Sequence, residues 1–311
     1  MKKYFSQVLR HTILPRDPSV VLNGTYLKNP THLCRRHEDL DLVVVVHTSL
    51  YNFERRRLLR HTFMRQLKDS PYTVQLVFMI GTHNKTKINA VKEVTLRNEN
   101  RHYGDFVQMD FNEDFRNLSL KAVMWLRWLN EHCQNPSVVL KIDDDVILDL
   151  RRILPLSVSY FAKFKRSIFC HLNKLGTQPI PRIGRTKVDM REFFNLTIYP
   201  YNYCSGFIVF LSPDMIPLLM SAARRTPFYN VDDLFMFGVL PKVVGDVTYH
   251  NIGFNVSVWN QKVRNCTTQH GASCRYFGTM TEDKAEAWNL LNAFDHAHRY
   301  DFKIPRMKIL K

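Results

Sequence analysis

Hydrophobic and polar positions alternate along the first half of the chain in blocks that predict strands and helices in turn. Uninterrupted aliphatic runs predict buried strands at 40–46, 73–81, 106–109 and 137–142. Segments without glycine or proline, with apolar residues at helical spacing, predict helices at 52–67, 86–97 and 118–133. Strands that alternate with helices favour an α/β fold with a mostly parallel, doubly wound central sheet.

The second half of the chain has a less regular pattern. Residues 151–195 are basic and irregular, and they are followed by a predicted strand at 203–211 and predicted helices at 213–223 and 232–240. Residues 1–38 are basic and without a sustained period, which predicts a stem-like arm. No linker-like stretch interrupts residues 39–311, so we predict a single folded domain there.

Charge is the unusual feature of the composition. The 311 residues include 44 Lys and Arg against 28 Asp and Glu, a formal net charge of +16. An apolar content of 45% excludes a disordered chain or a coiled coil. The surplus favours a polyanionic partner, which leaves nucleic acid, phosphorylated ligands and an anionic membrane surface as alternatives.

Cysteines and glycosylation sequences indicate the compartment. The six cysteines form no CxxC pair, which argues against a zinc finger and leaves disulfides or buried thiols open. Six Asn-x-Ser/Thr sequences favour a lumenal or extracellular chain, at Asn23, Asn84, Asn117, Asn195, Asn255 and Asn265. The first residues lack an apolar run, so no signal peptide or membrane anchor is predicted.

Two acidic groups are the candidate reactive residues. Asp143, Asp144 and Asp145 directly follow the predicted strand at 137–142, at the edge where α/β sheets bind ligands. Clustered carboxylates repel one another unless a cation such as a divalent metal neutralises them; a solvated acidic turn is the alternative. Asp232 and Asp233 lie beside apolar residues and are candidates for a general base, or for an ordinary helix N-terminus.

A basic cluster at 54–63 follows the first predicted strand. It suits a nucleotide phosphate, although a charge run of this kind is usually a solvated helix face. The chain contains no HExxH, GxSxG or P-loop sequence, so no motif supports a zinc protease, a hydrolase elbow or an NTPase.

Six blocks of sequence follow one another in a distinctive order. They are 54–63 (similar to ERRxxIRxTW), 103–111 (YxDI and DF), 117–121 (NLTLK), 140–146 (KxDDDV), 199–206 (YPxYCSG) and 232–235 ((E/D)DV(Y/F)). Together they resemble the inverting β-1,3-glycosyltransferases, the family of β-1,3-galactosyltransferases and β-1,3-N-acetylglucosaminyltransferases, over about residues 40–240.

The resemblance implies a GT-A fold, a UDP-sugar donor and Mn²⁺. It implies a donor half at about 39–150 and an acceptor half at about 151–311 of one catalytic domain. By matched position, Asp145 is expected to bind the metal, with Asp143 and Asp144 at the ribose and diphosphate. Asp233 is expected to be the base that deprotonates the acceptor hydroxyl, with Asp232 as its neighbour or alternative.

The same resemblance makes Arg56, Arg60 and Lys121 candidates for binding the donor, with a structural role as the alternative for each of them. Phe63 stands where the family has Trp, and the spacing from Tyr199 to Cys204 is one residue longer. Most departures lie in the acceptor half, so the resemblance describes the donor side more closely than the acceptor.

The expected activity is transfer of galactose, or else N-acetylglucosamine, to a glycan hydroxyl in a β-1,3 linkage. Family resemblance also implies a Golgi location, membrane association and a possible homodimer, and it implies no nucleic-acid partner. The alternative is a non-catalytic relative of the same fold that binds glycans or acts as a chaperone.

Overall fold

A computed structural model describes residues 18–35, 39–83, 89–184 and 186–298. The strands are β1 (Tyr26–Lys28), β2 (Leu40–His47), β3 (Val74–Thr82), β4 (Phe106–Asn112), β5 (Pro136–Asp143), β6 (Val146–Leu148), β7 (Ser167–Asn173), β8 (Tyr203–Leu211), β9 (Thr248–Asn251), β10 (Val256–Ser257) and β11 (Gly278–Met280). The helices are α1 (Ser19–Leu22), α2 (His32–Arg35), α3 (Phe53–Leu67), α4 (Ala90–Tyr103), α5 (Leu118–His132), α6 (Leu150–Ser159), α7 (Met215–Ala223), α8 (Asp232–Leu234), α9 (Leu240–Val244), α10 (Asn260–His270) and α11 (Lys284–Ala297). A π-helical segment, Phe235–Val239, joins α8 to α9, and short 3₁₀ turns occur at Phe115–Asn117, Phe161–Lys163 and Gly271–Ser273.

The larger sheet has the strand order β1-β4-β3-β2-β5-β8-β7-β9. Its centre, β4-β3-β2-β5, is parallel, whereas β8 runs antiparallel to both β5 and β7. The predicted α/β class and parallel central sheet are confirmed, and the sheet also contains antiparallel pairings, of β1 with β4 and of β8 with β5 and β7. His47 pairs in register with Asp143, which brings the ends of β2 and β5 together.

Burial on both faces explains the uninterrupted aliphatic run of β2. Val43 and Val45 pack in one apolar cluster with Trp125 of α5, while Val44 packs in another with Leu59 of α3. All three valines are fully buried. The central strands therefore form a rigid layer whose carboxyl ends are fixed by the core.

A smaller sheet, in the order β10-β11-β6, joins the C-terminal region to the acidic sequence. β11 pairs antiparallel with β6, and the backbone N–H of Thr281 donates to the carbonyl of Asp145 at 2.8 Å. The residue that ends the acidic triplet is thereby held by the C-terminal part of the fold.

All six cysteines form disulfides, in the pairs Cys34–Cys133, Cys170–Cys204 and Cys266–Cys274. The first joins α2 to the end of α5, and Val21 and Leu33 are buried in the same apolar cluster. Residues 18–35 of the predicted arm thus pack as part of the domain, while residues 1–17 and 36–38 lie outside the described residues. None of the described helices is both long and apolar enough to cross a membrane.

Three element boundaries differ from the sequence prediction. Helix α4 begins at Ala90 because the side chain of Asn89 accepts from the Lys92 N–H. Strand β7 was not predicted, because polar and basic residues surround its short apolar run. The helix predicted at 232–240 continues to Val244 through the π-helical segment.

Candidate functional site

The carboxyl ends of β2 and β5 open into a cleft of about 580 Å³. Five of the acidic residues singled out in the sequence line it, namely Asp143, Asp144, Asp145, Asp232 and Asp233. Asp143 ends β5 and Asp144 and Asp145 follow it, whereas the other two residues begin α8. The fold therefore brings together two acidic groups that lie nearly 90 residues apart in the chain.

Lys141 and Gly206 connect the two acidic groups beneath the cleft. The buried Lys141 Nζ donates to Asp143 Oδ1 at 2.7 Å and to the Gly206 carbonyl at 2.8 Å. The Gly206 N–H donates in turn to Asp233 Oδ2 at 2.8 Å. A Cβ at position 206 would lie 1.8 Å from Asp233 Oδ1, so only glycine permits this approach.

Asp144 is held by three side chains. Its Oδ2 accepts from Thr48 Oγ1 at 2.6 Å and from Asn52 Nδ2 at 2.8 Å, and its Oδ1 accepts from Arg55 Nη1 at 3.0 Å. Arg55 also lies 3.8 Å from Asp145 Oδ2 and remains about one-third exposed. The arrangement fixes Asp144 and presents a guanidinium group to the cleft.

Asp145 has the surroundings of a metal ligand. Its Oδ1 is buried without a hydrogen-bond partner among the described residues. Burial, followed by the charges of Asp143 and Asp144, raises the pKa of Asp145 to about 6 against the opposing effect of Arg55. A hard cation would satisfy the unpartnered oxygen and relieve the repulsion.

No three acidic, His or Cys side chains within the described ranges converge into a complete metal site. Mg²⁺-type ions at phosphate-transfer sites are commonly held by one or two carboxylates together with substrate phosphates and water. Asp145, whose Oδ1 has no hydrogen-bond partner among the described residues, therefore fits a divalent ion that arrives with a diphosphate.

Asp232 and Asp233 are adjacent buried carboxylates whose pKa values are both raised. Burial and then the charge of Asp232 raise the pKa of Asp233 to about 7, although Lys141 acts in the opposite direction. Burial also raises the pKa of Asp232. His47 Nδ1 lies 4.0 Å from Asp232 Oδ2. Burial, followed by the charges of Lys141 and Lys121, lowers the pKa of His47. Asp233 thus has the properties of a general base near neutral pH.

Burial does not prevent charge on Lys141, because the carboxylates around it compensate. Desolvation opposes the charged form, but Asp143, Asp233 and Asp232 outweigh it and raise the pKa of Lys141. The ammonium group therefore remains charged between the two acidic groups.

Lys121 reaches the cleft as expected. Its Nζ donates to the Thr48 carbonyl at 2.5 Å and to Glu113 Oε2 at 2.7 Å. Both partners line the same cleft. The side chain is almost fully buried, so it orders the wall of the cleft as well as contributing positive charge.

Arg56 and Arg60, both candidates for binding the donor, lie instead in the core. Arg56 is fully buried and donates to Glu99 and to the carbonyls of Ser49 and Leu50. Arg60 forms a two-bond ion pair with Asp105 and also contacts Glu99. Neither arginine lines the cleft, because its guanidinium group is fully engaged by internal partners.

Sequence reasoning missed Arg55, Lys141 and Gly206. Helical spacing distinguishes the arginines of α3. Arg56 and Arg60 lie on the same helix face as Leu59 and Phe63, which is the face that packs on the core, whereas Arg55 lies outside it. Lys141 and Gly206 lie within recognised blocks, but their contact depends on the antiparallel pairing of β5 with β8, which the sequence did not reveal.

The comparisons agree with the resemblance. A family model described as galactosyltransferase matches residues 54–251. A mouse acetylgalactosaminyl-O-glycosyl-glycoprotein β-1,3-N-acetylglucosaminyltransferase is 31% identical over 65% of this chain and 52% of its own length. A Xenopus laevis lactosylceramide 1,3-N-acetyl-β-D-glucosaminyltransferase A is 28% identical over 78% and 64%, and mouse β-1,3-galactosyltransferase 1 is 22% identical over 87% and 79%.

The chain therefore spans between about half and two-thirds of the length of the first two relatives. Among solved structures, the galactosyltransferase LgtC, crystallised with donor and acceptor sugar analogues, is similar over 85% of this chain and 98% of its own. Its sequence identity is 12% and the TM-score is 0.39.

Proposed function

Because the chain belongs to the galactosyltransferase family, we propose that it is an inverting glycosyltransferase that forms a β-1,3 linkage. The donor would be UDP-galactose or UDP-N-acetylglucosamine, and the acceptor a glycan hydroxyl. The observation that carries the proposal is the convergence of Asp143–Asp145 and Asp232–Asp233 on one cleft. A glycan-binding protein that catalyses no reaction has no need for a buried carboxylate with a raised pKa in this cleft.

The acidic triplet would bind the donor. Asp145 would hold Mn²⁺ through its unpartnered oxygen. When bound, the ion would neutralise charge on the departing diphosphate. Asp143, the most exposed of the three, is open to a ribose hydroxyl, and Asp144 would act mainly by holding Arg55 toward the diphosphate.

Asp233 would serve as the general base. An acceptor hydroxyl would attack the anomeric carbon from the face opposite the departing UDP. The oxygen of the acceptor hydroxyl would form the new glycosidic bond to the anomeric carbon while the bond from that carbon to the diphosphate oxygen breaks. The proton of the hydroxyl would pass to the Asp233 carboxylate. The Gly206 N–H holds one oxygen of that carboxylate, and the charged Lys141 favours its ionised form.

The donor sugar and the compartment form part of the same proposal. Relatives named as N-acetylglucosaminyltransferases have higher identity, whereas the family model carries the galactosyl name, so both donors need testing. The disulfides suit an oxidising compartment, and we propose the Golgi lumen.

The test is release of UDP from each UDP-sugar in the presence of Mn²⁺ and a panel of glycan acceptors. We expect turnover with one of the two donors and loss of about 10³-fold in Asp145→Asn, which removes the metal ligand's charge. Asp69→Asn is the matched control, because Asp69 is exposed at the opposite edge of the sheet. Absence of turnover with every donor would favour the non-catalytic alternative, and unchanged turnover in Asp145→Asn would contradict the metal assignment.

A further inference from the structure

The Asn-x-Ser/Thr sequences lie in contrasting surroundings. Five fall within the described residues, and Asn84 lies outside them. At Asn23 and Asn195, both the asparagine and the threonine two positions later are exposed. An N-linked glycan must remain in solvent after folding, so these two positions can accommodate one.

The sequence at Asn117 is built into the fold. Asn117 Nδ2 donates to the Asn112 carbonyl at 2.7 Å, and the hydroxyl of the buried Ser119 donates to the Tyr229 carbonyl. A sugar on the Asn117 nitrogen would replace one of its two N–H hydrogens and crowd the bond to the Asn112 carbonyl.

Asn255 is engaged in a similar way. Its Nδ2 donates to the Arg275 carbonyl at 3.1 Å, and Ser257 is buried. Asn265 is exposed, but Thr267 is buried in α10 and donates to the Val263 carbonyl. At Asn265 the asparagine is exposed but the threonine two positions later is not, so we assign no state to this position.

Exposed apolar residues lie close to Asn195 in the chain. Asn195 lies between β7 and β8 with a φ of 60°, a left-handed conformation that asparagine tolerates. Phe194 is 64% exposed and Ile198 43% exposed, and Met190 is also exposed nearby in the chain. A glycan on Asn195 would extend from the residue next to Phe194 and could shield these neighbouring apolar side chains from solvent.

We propose that Asn23 and Asn195 carry N-linked glycans, that Asn117 and Asn255 do not, and that the Asn195 glycan covers the apolar side chains beside it. The donor would be a lipid-linked oligosaccharide diphosphate of the secretory pathway, used by that pathway's transferase. The asparagine nitrogen bonds to the anomeric carbon, the bond from that carbon to the diphosphate oxygen breaks, and one amide proton leaves with the lipid diphosphate. Glycosylation at these positions does not depend on the reaction proposed for the cleft.

Site mapping tests the first part. The full chain is expressed behind an added cleavable signal peptide in cultured animal cells, so that it enters the secretory pathway, and the secreted protein is digested and treated with peptide N-glycosidase in ¹⁸O-labelled water before mass spectrometry. We expect ¹⁸O-labelled aspartate at positions 23 and 195 and unlabelled asparagine at 117 and 255. Label at 117 or 255, or its absence from 23 or 195, would overturn the assignment.

Paired variants test the covering role. Asn195→Gln and Asn23→Gln should each lose one glycan, but only Asn195→Gln should increase aggregation and binding of an apolar dye. Adding Phe194→Ser to Asn195→Gln should reverse the increase, because it removes an exposed aromatic ring. Equal aggregation of the two single variants, or failure of Phe194→Ser to reverse it, would contradict the role.

Discussion

The half of the domain proposed to bind the donor (about 39–150) and the half proposed to bind the acceptor (about 151–311) contribute carboxylates to one cleft, but they hold them differently. In the donor half, Thr48, Asn52 and Arg55 all donate to Asp144. In the acceptor half, Asp233 receives a backbone N–H from Gly206, and burial together with Asp232 raises its pKa to about 7.

The difference suggests a division of labour. A carboxylate surrounded by hydrogen-bond donors is fixed in position, which suits the binding of a charged ligand. A buried carboxylate beside another negative charge exchanges its proton near neutral pH, which suits general base catalysis. Variants in the two halves should therefore fail in different ways.

The largest effect is expected at the acceptor-half base. Asp233→Asn keeps the side-chain shape but removes the proton acceptor, so turnover should fall by about 10³-fold. Steady-state rates of UDP release with acceptor present measure the change. Turnover within about threefold of wild type would exclude Asp233 as the base and leave Asp232 as the candidate.

The next effect concerns stability in the donor half. Arg60→Ala leaves Asp105 without its buried partner and Glu99 with Arg56 alone, and should lower the free energy of unfolding by about 3–5 kcal/mol. Arg57→Ala is the control on the same helix, because the exposed pair Arg57–Glu54 should contribute less than about 1 kcal/mol. Urea unfolding measures both. Equal midpoints would contradict the structural role of Arg60.

A smaller effect is expected where the two halves meet. Gly206→Ala would place a methyl group against the Asp233 carboxylate and displace it, which should lower kcat by about 10²-fold. A thermal melt within a few degrees of wild type would show that the fold is retained. Unchanged kcat would mean that the position of Asp233 is not critical.

The smallest effect is a shift in pH dependence. Asp233 must be ionised to act, so activity should fall as the pH drops through about 7. Asp232→Asn removes a negative charge that raises the pKa of Asp233, so the acidic limb should move to lower pH. Profiles of kcat/KM measure the shift. Loss of activity at every pH would instead identify Asp232 as the base.

The two halves also differ in how much of their secondary structure and site the sequence predicts. The parallel strands and α3 follow from continuous aliphatic runs and helical spacing, and Asp143–Asp145 were placed correctly at the sheet edge. Strand β8 has its predicted bounds, 203–211, but β7 is absent from the prediction, and the antiparallel pairing of the two strands joins residues far apart in the chain, which local pattern does not encode. Arg56 and Arg60, for which the resemblance left a structural role open, lie in the core because carboxylates on α4 and just before β4 neutralise them.

Calorimetric titration of UDP in the presence of Mn²⁺ into Asp145→Asn and Asp233→Asn tests the division of labour most directly. We predict that Asp233→Asn binds UDP with an affinity close to that of wild type, although it does not turn over. Asp145→Asn should bind UDP at least about tenfold more weakly, because the metal loses its carboxylate ligand. Wild-type affinity in Asp145→Asn, or an equal loss of affinity in both variants, would contradict the account.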